Sequence, residues 1–157
     1  MLAEIARVLR PGGVLHAFVP LEGKPGTVYH LLRRSRRIPI NRWKRDHVGH
    51  INHFTPEEVF RELWEAGLSV EHRAYGFHLV SQIHDVVDYW QRERNSGGAG
   101  LLPPAAVNAI ARAVFIPTWR LSYLEDRLYR GRHLAAGLHL TARRCASSPA
   151  VKLDPRN

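Results

Sequence analysis

An apolar stripe with helical spacing opens the chain, and an apolar run of strand length follows it after a sharp break. The members of the stripe lie three and four positions apart, as on one face of a helix: Leu2, Ile5, Ala6 and Leu9. Pro11-Gly12-Gly13 ends the predicted helix, because proline cannot continue the hydrogen-bond ladder and glycine accepts a positive φ. The apolar residues 14–19 predict a strand that is buried on both faces, as in a parallel sheet. A helix, a tight turn and a buried strand in this order indicate an α/β fold.

Length, composition and charge bound the class of protein. The chain has 157 residues, of which 45% are apolar, so it can form one domain with a core. Its 23 Lys and Arg exceed its 14 Asp and Glu, and the net charge of +9 favours anionic partners. A lone cysteine, Cys145, excludes an intramolecular disulfide and a cysteine-based zinc cluster. No run of about 18 apolar residues occurs and the first residues carry charges, so we expect a cytoplasmic protein without a spanning helix or a secretory leader.

Later segments carry signals for further helices and strands. Thr55-Pro56-Glu57-Glu58 supplies an N-cap, a proline in the first turn and a capping-box glutamate, so a helix is predicted to begin there. Alternation of apolar and polar residues predicts strands over residues 68–74 and 136–142. Helical spacing predicts four more helices, of which the last two are separated by a proline: residues 27–37, 78–92, 104–115 and 118–129. Residues 146–157 are polar and contain proline, which predicts a disordered tail.

Two of these segments resemble a known enzyme family. Glu4-Ile5-Ala6-Arg7-Val8-Leu9-Arg10-Pro11-Gly12-Gly13 is similar to the segment that leads into strand five of class I S-adenosylmethionine-dependent methyltransferases. His53-Phe54-Thr55-Pro56-Glu57-Glu58, with Glu65-Ala66-Gly67-Leu68, is similar to the helix that leads into strand six of that family. The resemblance covers about residues 1–75 and 134–143. It implies the C-terminal part of a Rossmann-like sheet, in which residues 138–143 form strand seven, antiparallel beside strand five.

The resemblance also implies a domain organisation and a cofactor. A partial methyltransferase domain would span residues 1–145, with a basic insertion at 21–53 and a helical insertion at 78–130. The family binds S-adenosylmethionine with a Gly-rich turn after strand one and an acidic residue at the end of strand two. Both would precede Met1, and Gly97-Gly98-Ala99-Gly100 follows a predicted helix instead of a strand. We therefore expect an acceptor-side fragment that does not bind S-adenosylmethionine alone. Its open strand edge would be covered by the helices at 78–129, by a partner chain or by a homodimer.

Histidines of the basic insertion are the candidate catalytic residues. Ligands of open α/β sheets bind beyond the carboxyl ends of the parallel strands, which places residues 21–53 beside a small or lipid-like acceptor. The spacing Asp46-His47-x-x-His50-x-x-His53 offers imidazoles that can act as general bases or orient an acceptor hydroxyl, and we assign this role to His50 and His53. The alternatives are hydrogen bonds to the local backbone and a zinc site on one helix face. Further residues are assigned to acceptor binding: Pro20, Tyr29, Arg42, Arg45 and His47.

The charge of the insertion supports an alternative function. Residues 24–45 contain eight Lys and Arg and no acid, which is typical of a solvated basic face or of a surface that binds anions. A non-catalytic module on an anionic membrane or on nucleic acid is the alternative, and the absence of a nucleic-acid motif favours the membrane. The apolar residues 101–129 would either lie flat on a membrane or form a lid or core helix pair. Three tryptophans on predicted helices are interpreted as packing residues: Trp64, Trp90 and Trp119.

Overall fold

The computed structural model describes residues 2–50 and 53–145, which form six helices and three strands. In chain order these are α1 (Leu2–Val8), β1 (Val14–Pro20), α2 (Val28–Leu32), α3 (Ile40–Val48), α4 (Pro56–Glu65), β2 (Leu68–Gly76), α5 (Leu79–Asn95), α6 (Pro104–Leu128) and β3 (Gly137–Arg144). The predicted disordered tail, residues 146–157, lies outside the described residues. Among the described helices, none combines the length and the apolar composition needed to cross a bilayer.

The three strands form one open sheet in the order β1-β3-β2. The last strand lies in the centre and is antiparallel to both neighbours, with Leu140 opposite Ala17 on one side and opposite Arg73 on the other. Since β1 and β2 both run against β3, they are parallel to each other. The predicted antiparallel pairing of residues 138–143 with the first strand is confirmed, and the fold is a mixed α/β structure.

The expectation that the first strand is buried on both faces of a parallel sheet is wrong for the described residues. β1 has an antiparallel neighbour, and its side chains alternate in exposure, with Phe18 49% exposed. One face of the sheet packs on α1 and α4 through Ala6, Val59 and Leu63, which join Leu138 of β3 in one apolar core. On the opposite face His16, Phe18 and His139 are exposed. Among the described residues β1 therefore has the alternating burial of a half-covered strand.

The start of α4 follows the predicted cap. The Thr55 hydroxyl accepts a hydrogen bond from the backbone N–H of Glu58 at 3.3 Å, and the Glu58 carboxylate accepts one from the Thr55 backbone N–H at 2.8 Å. The hydrogen bonds from Thr55 lower the pKa of Glu58. An N-cap of this kind contributes about 1 kcal/mol. The cap fixes where the helix begins, and it therefore turns Val59 and Leu63 towards the sheet.

A second apolar cluster holds the insertion against α5. Tyr29 of α2, Trp43 of α3 and Tyr89 of α5 are buried together in it. The helix predicted over residues 27–37 is shorter in the structure, because α2 ends at Leu32. The following helix α3, Ile40–Val48, has no counterpart among the predicted elements. The insertion thus contains two short helices, and both of them carry buried side chains.

One long helix replaces the two helices predicted on either side of Pro117. α6 runs through this proline and packs along α5, with the Val80 N–H donating to Glu125 and His84 hydrogen-bonded to Thr118. The Thr118 hydroxyl donates to the carbonyl of Val114 at 2.7 Å, within the turn that contains the proline. Contacts along the whole of α5 therefore outweigh the local break. Trp119 and Trp64 are exposed, so the packing interpretation holds only for Trp90.

Candidate functional site

A buried carboxylate lies just beyond the carboxyl end of β1. The side chain of Glu22 is only 2% exposed. Its Oε1 atom lies 2.5 Å from Lys44 Nζ and 2.6 Å from His50 Nδ1. Because a charge removed from water is tolerated only with partners, the lysine and the histidine account for the position of this carboxylate. Glu22, Lys44 and His50 form the centre of the candidate site.

A close approach of two backbone segments brings these residues together. The backbone N–H of Gly23 donates to the carbonyl of Phe54 at 3.2 Å. A Cβ atom at position 23 would lie 2.3 Å from the carbonyl oxygen of His53, so only glycine fits there. His53 consequently lies beside Glu22, with its Nδ1 atom 3.6 Å from Glu22 Oε2. This second carboxylate oxygen has no hydrogen-bond partner among the described residues.

Aromatic and acidic side chains surround Lys44 on the inner side. Its Nζ atom lies 3.2 Å from the centroid of the Tyr29 ring. The hydroxyls of Tyr29 and Tyr89 each donate to Oδ2 of Asp85 at 3.0 Å. Burial lowers the pKa of Lys44 and raises the pKa of Asp85, while Glu22 opposes the first shift and the two hydroxyls oppose the second. Burial and Asp85 together raise the pKa of Tyr29 well above its ordinary value. These inner residues are fixed in one network.

The outer side of the site is formed by two histidines that reach the surface. The side chain of His50 is 36% exposed and that of His53 is 43% exposed. When Glu22 accepts a hydrogen bond from Nδ1 of His50, the neutral ring keeps its lone pair on Nε2. A carboxylate that orients an imidazole in this way also stabilises the imidazolium formed after proton uptake. The arrangement can therefore take a proton from a ligand group at Nε2.

The structure separates the residues assigned to the site into two groups. His50 and His53 lie together at Glu22, whereas Arg42 and His47 share Glu93 of α5, with His47 Nε2 3.4 Å from its carboxylate. Of the remaining assigned residues, Tyr29 is buried against Lys44 and so adjoins the first group. Pro20 pairs with Gly137 in the sheet, and Arg45 is exposed and paired with Asp46. The catalytic and acceptor-binding roles of these residues stay predictions.

Sequence reasoning missed the central residues of the cluster, Glu22 and Lys44. One signal was available, because Glu22 is the sole acidic residue between Glu4 and Asp46 and follows the predicted end of a strand. An acid in a stretch so rich in cations is a candidate for a charged pair. No comparable signal marks Lys44, since its burial depends on the packing of α3 against α2 and α5.

The zinc alternative assumed three histidines on one helix face, and the structure does not have them there. His47 belongs to α3, His50 follows the end of that helix at Gly49, and His53 lies before α4. Gly49 has a φ of 72°, which turns the chain away from the helical path. Within residues 2–50 and 53–145, no group of three His, Cys, Asp or Glu side chains has an arrangement suited to a metal ion.

The Gly-rich segment at residues 97–100 does not have the form of a turn that binds S-adenosylmethionine. The Gly-rich segment at residues 97–100 follows α5, and the Arg94 guanidinium donates to the carbonyls of Gly98, Gly100 and Leu102. A Cβ atom at Gly100 would lie 2.8 Å from that guanidinium. The carbonyls of Gly98 and Gly100 and the space beside these two glycines are thus taken by the chain itself. This segment does not offer the open backbone that a methionine moiety requires.

In comparisons with known proteins, no protein-family model matches the chain, and no curated protein matches it.

Proposed function

We propose that this chain is the acceptor-side part of a class I S-adenosylmethionine-dependent methyltransferase, in which Glu22 and His50 prepare the acceptor. The proposal rests on one observation, the contact of the buried Glu22 carboxylate with His50 beyond the carboxyl end of β1. Two further features support it. The segments that resemble the family fall on α1–β1 and on α4–β2, and β3 lies antiparallel beside β1, where the resemblance expects strand seven.

In the proposed reaction, His50 acts as a general base on the acceptor. Nε2 of His50 takes the proton from a hydroxyl or amine of the acceptor, whose oxygen or nitrogen then becomes the nucleophile. The Glu22 carboxylate lies against the resulting imidazolium, and Lys44 forms an ion pair with the same carboxylate oxygen. His53, beside the second oxygen of Glu22, positions the acceptor from the other side.

Acceptor binding can be tested on this chain without a methyl donor. We expect phenol and short primary amines to shift backbone amide resonances of Glu22, Gly23 and His50 in 1H–15N NMR spectra, because these groups surround the proposed base. His50→Gln is expected to remove the shifts. The matched control His72→Gln changes an exposed histidine of β2 and should leave them intact.

Two outcomes would overturn the proposal. The first is a panel of acceptor fragments that shifts no amide in this group. The second is saturable micromolar binding of S-adenosylmethionine in calorimetry, because an acceptor-side part without the family's Gly-rich turn should show no such heat.

A second candidate function, attachment to an anionic membrane surface, is favoured by the outer side of α6. Large apolar and aromatic residues are exposed there, among them Ile116, Trp119 and Tyr123, next to the exposed Arg120 and Arg127. The two acids of α6 are instead occupied on the side of α5, where Glu125 accepts from Val80 and Asp126 accepts from His78. Aromatic rings beside unopposed arginines suit the interface of an anionic bilayer.

Vesicle binding separates this function from the first. We expect the chain to sediment with phosphatidylglycerol vesicles at low salt, and Trp119→Ser/Tyr123→Ser to lower the bound fraction several-fold. Trp64→Ser is the matched control, because Trp64 is an exposed tryptophan on α4. Absence of binding at low salt excludes the membrane function. Binding to an oligonucleotide that survives the double substitution would point to nucleic acid instead.

A further inference from the structure

A cavity of about 650 Å³ opens between residues 36–43 of the basic insertion and one side of α5. Its apolar wall includes Trp43 of α3 and Val86, Val87 and Trp90 of α5. A volume of this size is within the range of about 300–1,000 Å³ that small-molecule sites have. The cavity can therefore hold the apolar body of a small ligand.

The rim of this cavity is strongly basic. Four arginines and a single acid, Glu93, line it, and two of the arginines have partners in the protein. Arg42 pairs with Glu93, and Arg94 is hydrogen-bonded to backbone carbonyls. Arg36 and Arg37 are exposed and have no ion pair or side-chain hydrogen bond to any described residue. Two guanidinium groups thus remain available to a negatively charged ligand.

An unpartnered donor within the cavity wall points to the same kind of ligand. Trp43 is only 6% exposed, and its indole Nε1–H has no hydrogen-bond partner among the described residues. A buried donor without a partner costs free energy that an acceptor atom of a ligand would recover. Carboxylate oxygens are strong acceptors and also match the fork of a guanidinium.

We propose that this cavity binds a small amphipathic anion, a carboxylate with an apolar chain or ring. The apolar body packs on Val86, Val87 and Trp90, and the carboxylate lies between Arg36 and Arg37. This site is distinct from the proposed catalytic pair. Trp43 lines the cavity, whereas the next residue, Lys44, contacts Glu22. Ligand binding here needs neither His50 nor a methyl donor.

Octanoate is a suitable probe, because Trp43 and Trp90 report on the cavity by fluorescence. We expect saturable quenching and matching calorimetric heat with octanoate. Octanol and octyltrimethylammonium have the same alkyl chain but no negative charge. They should bind at least about tenfold more weakly than octanoate, because the charge-assisted hydrogen bonds are lost. Trp43→Phe should weaken octanoate binding as well, with circular dichroism used to verify that the variant is folded.

Matched arginine pairs decide whether the cavity is responsible. Arg36→Gln/Arg37→Gln is expected to weaken octanoate binding about tenfold or more. Arg33→Gln/Arg34→Gln removes the same charge from exposed residues outside the cavity and should have little effect. Equal loss in both pairs, the absence of saturable octanoate binding, or an arginine-dependent signal seen only with anionic vesicles would overturn the proposal.

Discussion

Replacement of Glu22 by glutamine is expected to lower the free energy of unfolding at neutral pH by about 3–5 kcal/mol, because it leaves a buried cation without its partner. Lys44 Nζ is 2.5 Å from the Glu22 carboxylate, and both side chains are almost fully buried. Glutamine keeps the size of the side chain, so the loss reflects charge and not volume. Urea denaturation followed by circular dichroism measures the change.

The effect of this substitution should depend on pH in a definite direction. Burial already lowers the pKa of Lys44 from 10.5, and loss of the Glu22 carboxylate removes an interaction that raises it. A lysine with a lowered pKa in the folded state destabilises the fold while it is charged, and this cost disappears as the pH rises through the folded pKa towards the unfolded value. The difference in unfolding free energy between the variant and the unmodified protein should therefore shrink between pH 7 and pH 10.5.

Glu4→Gln is the matched control for this experiment. Glu4 pairs with Arg7 on the surface of α1, where ion pairs contribute little to stability. The assignment of a buried Glu22–Lys44 pair would be contradicted by equal losses of unfolding free energy in the two variants. It would also be contradicted if the loss caused by Glu22→Gln did not decrease at high pH.

The elements that sequence predicts well are those specified by their own residues. The cap at Thr55 and the break at Gly12, where φ is 75°, set the boundaries of α4 and β1 without any distant contact. The same holds for the alternating strands β2 and β3. The antiparallel place of β3 beside β1 came from the resemblance to a family, since local pattern alone does not specify a strand's neighbour.

Tertiary contacts explain the elements that sequence predicts poorly. α3 buries Ile40, Trp43 and Lys44. Because one of these residues is a lysine, the helix lacks the continuous apolar stripe by which sequence analysis recognises an amphipathic helix. α6 continues through Pro117 because it packs along α5 on both sides of the proline. In each case a neighbouring helix outweighs the local signal.

Some residues of the candidate site could be predicted from the sequence, and others could not. The spacing of His50 and His53 identified two side chains that do lie together. Their common partner, Glu22, is 28 positions from His50 and meets it only because the chain folds back at Gly23. Sequence spacing finds the members of a local constellation, whereas the carboxylate that fixes their chemistry comes from another segment.

Replacement of Asp126 by alanine is expected to destabilise the protein by about 3 kcal/mol or more, because this carboxylate holds the corner between β2 and α5. Asp126 accepts hydrogen bonds from the Phe77 N–H at 3.1 Å and from His78 Nδ1 at 2.5 Å. Phe77 has a φ of 61°, a conformation that a bulky residue adopts only under constraint. His78 is fully buried, and its Nε2 lies 3.0 Å from the carbonyl of Gly131.

Loss of Asp126 therefore removes several interactions at once. The Nδ1 atom of His78 faces Asp126 and its Nε2 atom faces the carbonyl of Gly131, so alanine would leave one nitrogen of this buried ring without a partner. The strained backbone at Phe77 would lose its anchor as well. Asp46→Ala is the matched control, because Asp46 pairs with Arg45 on the surface and should contribute about 1 kcal/mol at most. A urea midpoint for Asp126→Ala as high as that of Asp46→Ala would show that the corner is held by other contacts.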